Sequence, residues 1–249
     1  GIFAENVTGT NAVWVQGGLI ANAVDSGITA TNSNLRVEQV DPTVPTSTGT
    51  RITNSGLYGI RILADTRLLP AGSAYLALVD NARIAGAQIG ISAQASADLV
   101  NPLPDPTPNP PPNPPNLSIP IIDLTVTNNE ILAAANSISL SAVFDASFGA
   151  PGRPLSRVNA SITQNTLTTT STEDILLTTG GDPTTFVNLL GVTFTAPAVV
   201  LPLQIAAGSQ TQLENLNGGA TVVISPNNSR PNFNPALVPA QPPAAPPLP

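Results

Sequence analysis

The chain has 249 residues and a net charge of −7, and only 9% of it is charged, against roughly 25% in a typical domain. All eight basic residues are Arg, and the net acidity argues against nucleic acid and anionic lipid surfaces, which require a basic footprint. Cys, His and Met are absent, which excludes disulfides, thiol redox chemistry and the usual His and Cys ligands of zinc.

Apolar residues reach 41%, but only 4% of the chain is aromatic, so a core must be built from aliphatic side chains. No apolar run attains the ~18 residues of a membrane span. Solubility falls to Asn, Gln, Ser and Thr. A chain that starts at Gly1 reads either as a segment cut from a longer sequence or as the processed end of a secreted precursor.

Taken in order, Gly1–Val24 is already strand-like. Ala12-Val13-Trp14-Val15 reads as β, and Gly17-Gly18-Leu19-Ile20 continues it. Then an apolar–x–Asn–x–x–apolar phrase begins. It appears as Ala30-Thr31-Asn32-Ser33-Asn34-Leu35 and as Ile52-Thr53-Asn54-Ser55-Gly56-Leu57. It returns as Val79-Asp80-Asn81-Ala82-Arg83-Ile84 and Val126-Thr127-Asn128-Asn129-Glu130-Ile131. Ile162-Thr163-Gln164-Asn165-Thr166-Leu167 carries Gln in the Asn position. Short apolar–x–apolar strands follow: Ile60-Arg61-Ile62, Ile89-Gly90-Ile91, Ile138-Ser139-Leu140 and Ile175-Leu176-Leu177. Period-two alternation puts one face of each inside. The best helical stretch, 130–136, is flanked by Asn and Ser and fits strand–turn–strand better.

The widest step, from Asn81 to Asn128, contains the stretch 101–120 with its ten prolines. Polyproline II of this kind cannot join a ladder. Without it, the step falls back to the few tens of residues of a solenoid repeat. A shorter Gly- and Pro-rich excursion covers 144–156. Beyond residue 180 the phrase degrades to Phe186-Val187-Asn188 and Leu213-Glu214-Asn215, and the tail 230–249 is again Pro-rich. The expected organisation is one domain over 1–229, with excursions at 101–120 and 144–156, followed by that tail.

These phrases resemble those of right-handed parallel β-helices, the pectin-lyase-like superfamily. The closest matches are 126–131 with its strand Ile138-Ser139-Leu140, and 52–62. The resemblance covers about residues 20–180 and concerns the surface and fibre members more than the enzymes. It implies an all-β parallel β-helix, a solenoid of roughly eight coils. Asn32, Asn54, Asn81, Asn128 and Gln164 are then turn positions, because Asn tolerates left-handed backbone best among non-Gly residues. Stacked amides of such turns can bond as a ladder.

Chemistry is harder to find. Enzymes of that superfamily use clustered Asp or basic residues, whereas the carboxylates here are scattered and Lys and His are absent. Asp80 and Arg83, with Arg61 on the adjacent coil, read as a charged patch or as solvated surface pairs. Glu173, Asp174 and Asp182 offer oxygens that calcium can use, but read better as an acidic loop. Trp14, Tyr58 and Tyr75 read as packing residues before sugar platforms. Sequons occur at Asn6, Asn116, Asn159 and Asn227. No catalytic, metal-binding or cofactor-binding residue is assigned, and no cofactor is expected.

Function is therefore expected at the ends of the fold. The leading expectation is a non-enzymatic, extracellular or cell-surface subunit that polymerises head-to-tail with copies of itself. Val13, Trp14, Val15, Leu19 and Phe233 are the candidate end residues. The alternatives are an adhesin-type module binding surface glycans, and a polysaccharide-degrading enzyme. A pilin-like β-sandwich that donates strands is a second fold.

Overall fold

A computed structural model describes residues 1–40, 49–65, 74–96, 120–143, 157–169, 175–180, 186–194, 201–205, 210–217 and 222–224. Among them there is no helix, and every strand pairing is parallel. The first six strands are short: β1 (Ile2–Glu5), β2 (Val13–Gln16), β3 (Leu19–Ala21), β4 (Ser26–Thr31), β5 (Leu35–Glu38) and β6 (Arg51–Thr53). Longer strands follow: β7 (Tyr58–Asp65), β8 (Ala74–Asp80), β9 (Arg83–Ser96), β10 (Ile121–Thr127), β11 (Glu130–Val143) and β12 (Arg157–Thr169). The last five are β13 (Ile175–Gly180), β14 (Phe186–Phe194), β15 (Leu201–Ile205), β16 (Gln210–Asn217) and β17 (Val222–Ile224).

The strands sort into two sheets. Sheet B runs β2–β5–β8–β10–β12–β14–β16. Sheet A runs β1–β4–β7–β9–β11–β13–β15–β17. A second run of sheet A, β3–β6–β9–β11–β12, joins it through the long strands β9 and β11. The register of β9 against β11 slips near Leu132 and Ala133, where one run passes into the other.

This arrangement corrects the expected parallel β-helix. Among the described residues the strands form two parallel sheets that are not closed into a solenoid, with no fixed repeat of roughly eight equal coils. Ile28 pairs with Ile60 but Ile91 pairs with Ile138, so the step between partners is far from constant. The reason is physical. The Asn phrase specifies a corner between two short strands, and any pair of parallel sheets linked by such corners needs it. Recurrence of a corner does not dictate closure. The excursions 101–119 and 144–156, the tail and Phe233 lie outside the described residues.

One aliphatic core joins the sheets. In sheet A the column Ile28–Ile60–Ile91–Ile138–Ile175 is wholly buried, with neighbours in direct register. In sheet B the matching column is Val37–Val79–Val126–Ile162. β-branched side chains suit this pleated, stacked geometry, and parallel strands sit about 4.8 Å apart, which brings like side chains into contact.

A glycine column, Gly27–Gly59–Gly90, lies where sheet A passes beside the second run. A Cβ at Gly59 would fall 2.4 Å from Cγ2 of Ile84 and 2.6 Å from the Gly90 carbonyl. The Ile52–Ile84–Ile131 column occupies that space, so the two apolar columns interlock only because the glycines lack side chains.

Candidate assembly edge

Four of the expected turn residues have the left-handed backbone: φ is 48° at Asn32, 55° at Asn54, 52° at Asn81 and 56° at Asn128. Asn6 and Asn22, outside the phrase, share it. Gln164 instead lies within β12, where the ladder to β14 is irregular between Thr163 and Asn165. The turn amides bind the neighbouring layer. Asn32 Oδ1 accepts from the Asp65 backbone N–H at 2.8 Å, and its Nδ2 donates to Asp65 Oδ1 at 3.1 Å. Asn128 Nδ2 donates to Asp80 Oδ1 at 3.0 Å, and Asn81 Nδ2 donates to Gln39 Oε1.

A second, buried amide set sits one residue later in the phrase, and sequence reasoning missed it. Asn129 Nδ2 donates to the Val79 carbonyl at 2.9 Å, and Asn129 Oδ1 accepts from the Ala82 N–H at 2.8 Å. Asn165 repeats the pattern, donating to the Val126 carbonyl and accepting from the Asn129 N–H, each at 2.9 Å. The adjacent Asn128-Asn129 and Gln164-Asn165 pairs were the available signal. The turn conformation needs one amide, while the interior of the corner needs another to satisfy buried backbone groups.

The residues weighed for chemistry do not converge. Arg61 lies over the Tyr58 ring, 4.9 Å from its centroid, while Arg83 Nε meets Glu130 Oε2 at 3.1 Å and Asp80 serves Asn128. Asp80, Arg83 and Arg61 thus make three separate contacts and do not form one charged patch. Glu173, Asp174 and Asp182 lie outside the described residues. Among the described residues no three metal-ligating side chains cluster. Tyr75 is a core residue, wholly buried, whose hydroxyl has no hydrogen-bond partner among the described residues. Burial, with the Asp65 carboxylate second, pushes its phenol well above the usual range. Asn159 is buried and donates to Asp123 Oδ1 at 2.7 Å, whereas Asn6 is exposed.

The N-terminal end of the sheets has a distinct character. Among the described strands, β1, β2 and β3 each pair on one side only, with β4, β5 and β6. Ile2, Val13 and Ile20 point toward the core but are only partly buried, while their partners Ile28, Leu35 and Ile52 are essentially inaccessible. The core is thus open at this layer. Beside it, Phe3 is 68% exposed, Leu19 64% and Val24 95%. Of the expected end residues, Val15 is buried and Val13 and Trp14 are half-buried. Trp14 registers with Arg36, whose Nη2 meets Glu38 Oε2 at 2.8 Å, and Gln16 Nε2 donates to the same carboxyl at 3.1 Å. The Trp14 indole N–H is buried without a hydrogen-bond partner among the described residues. Phe3 was missed because an isolated aromatic before the first turn has no periodic company.

Fold and edge together define a class: a β-rich protein of parallel sheets whose apolar N-terminal strands pair on one side only among the described residues. No family model, curated protein or solved structure matches the chain.

Proposed function

We propose that the chain is a structural subunit that assembles with copies of itself by strand addition at the β1–β3 edge, in an extracellular filament or surface layer. The observation that carries this reading is the edge just described. Among the described residues, three consecutive strands pair on one side only, and the core side chains beneath them are left partly uncovered. Such edges template further pairing unless blocked by Lys, Pro or a covering element. The chain contains no Lys, and Phe3 and Leu19 add apolar surface that strand addition would bury.

The occupant is a second copy, because the registers run from one edge to the other. Ile2, Ile28, Ile60, Ile91, Ile138, Ile175, Leu203 and Ile224 occupy one continuous column of partners from β1 to β17. Sheet B carries a parallel column from Val13 through Leu35, Ala77, Leu124, Ala160 and Leu189 to Leu213. A copy adding β17 to β1 and β16 to β2 would continue both columns. That contact is heterologous, and repetition makes an open fibre rather than a closed ring. The chain's lack of Cys and Met leaves little to oxidise, which suits an exposed location.

Sedimentation and negative-stain electron microscopy across a concentration series test the proposal. Growing linear species are expected. A strictly monomeric protein at the highest concentration would overturn it.

A further inference from the structure

A second feature begins one strand in from the edge, where Arg51 registers with Leu19, at the junction of the second run of sheet A with sheet B. Arg51 and Arg83 are direct partners on β6 and β9, and Glu130 is the next partner on β11. Two of only eight basic residues in an acidic chain are therefore stacked on one outward face, about one strand spacing apart. Like charges in this position repel. Glu130 answers only one of them, Arg83, whose Nε meets Glu130 Oε2 at 3.1 Å. Arg51 has no ion pair or hydrogen bond from its side chain among the described residues.

The three side chains border a hollow of about 310 Å³ that Gly49, Asn81 and Asn128 also line. The hollow is built into the backbone. Arg51 N–H donates to the Gly18 carbonyl and Arg83 N–H to the Thr50 carbonyl, both at 2.9 Å, and Glu130 N–H to the Ala82 carbonyl at 3.0 Å. Gly49 approaches the Asn81 carbonyl so closely that no side chain fits between them. The backbones that carry the two arginines are thus held side by side, with turn amides beside them.

The geometry points to an anion site that takes the carboxylate of a ligand, with Arg51 as the bidentate partner and Arg83 shared between that ligand and Glu130. A planar guanidinium fork matches a carboxylate, and Arg is suited to this where Lys is not. The same carboxylate chemistry can come from a separate ligand or from an acidic side chain of another copy.

The test follows the Arg Nε–Hε resonances by NMR during titration with sodium acetate, with sodium chloride at equal ionic strength as the reference. Saturable shifts at Arg51 and Arg83 are expected, with Arg36 unmoved because Glu38 already holds it. Arg51→Gln should weaken acetate binding at least tenfold while leaving the backbone amide spectrum of the core intact. A dilution series without acetate separates the sources. Concentration-dependent shifts of the same two resonances assign the carboxylate to a second copy, and their constancy assigns it to a separate ligand. Shifts that are linear, equal for all arginines or matched by chloride would overturn the site.

Discussion

Asn128 and Asn129 are neighbours with different tasks, and substitution should separate them. Asn128 holds a left-handed corner on the surface, so Asn128→Gly should be nearly neutral while Asn128→Val should cost about 1–2 kcal/mol of strain. Asn129 is buried and satisfies both Val79 and Ala82. Its replacement by Ala leaves those groups without partners, a loss of about 1–3 kcal/mol. Urea melts of the three variants check the order Val and Ala worse than Gly. Tyr75 gives a pH prediction. Its phenol is raised in the fold above the ordinary value near 10, so the folded state keeps the proton longer than the unfolded one. Stability from this group is full below about pH 10 and falls as pH rises through the folded value, by up to about 1.4 kcal/mol per pH unit. Tyr75→Phe should flatten that alkaline decline without loss at pH 8, which urea melts at pH 8 and pH 11 would show.

At the scale of elements, the strand–corner–strand units were readable because each combines period-two apolar positions with an Asn that tolerates positive φ. Val126–Ile131 and Ile52–Leu57 carry both signals, and both lie at strand junctions. Gln164 carried only the spacing, and the chain there stays extended. The buried Asn129 and Asn165 were hidden because position four of the phrase is also filled by Ser33, Ser55 and Ala82, all of which are buried. What unites them is location, and residue type does not report it. The glycine column is equally silent in sequence, since glycine elsewhere in the chain marks turns. Gly59→Ala should be destabilising by about 1–3 kcal/mol, because the new methyl meets Ile84 and a carbonyl at the same time. Thermal melts of Gly59→Ala and of Gly18→Ala, where a Cβ meets nothing within 4 Å but φ is +83°, distinguish crowding from backbone strain.

At the scale of the whole molecule, local signals lose their reach. The phrase spacing suggested a closed solenoid, but a corner constrains only the two strands that meet at it. Whether sheets close depends on all the connections between them, several of which are proline-rich stretches with no apolar period to read. The edge was partly legible, since Val13, Trp14, Val15 and Leu19 sit in the first strand-like stretch. Its openness was not, because exposure of Ile2 and Ile20 relative to Ile28 and Ile52 is a property of layers and appears only when they are stacked. Charge at that edge should then block growth. Phe3→Asp combined with Leu19→Lys should abolish linear species while leaving the fold intact, as read by sedimentation beside circular dichroism.

The continuous column from Ile2 to Ile224 makes the most direct test a cross-link, and the absence of Cys makes its background zero. Adjacent parallel strands place Cα atoms within the span a disulfide bridges. A chain carrying both Ile2→Cys and Ile224→Cys, oxidised mildly and run without reductant, should give a ladder of covalent dimers and higher species. A displaced pair, Val24→Cys with Ile224→Cys, should not. Linear species by microscopy without the ladder would contradict the register, and monomer alone in both assays would contradict the assembly itself.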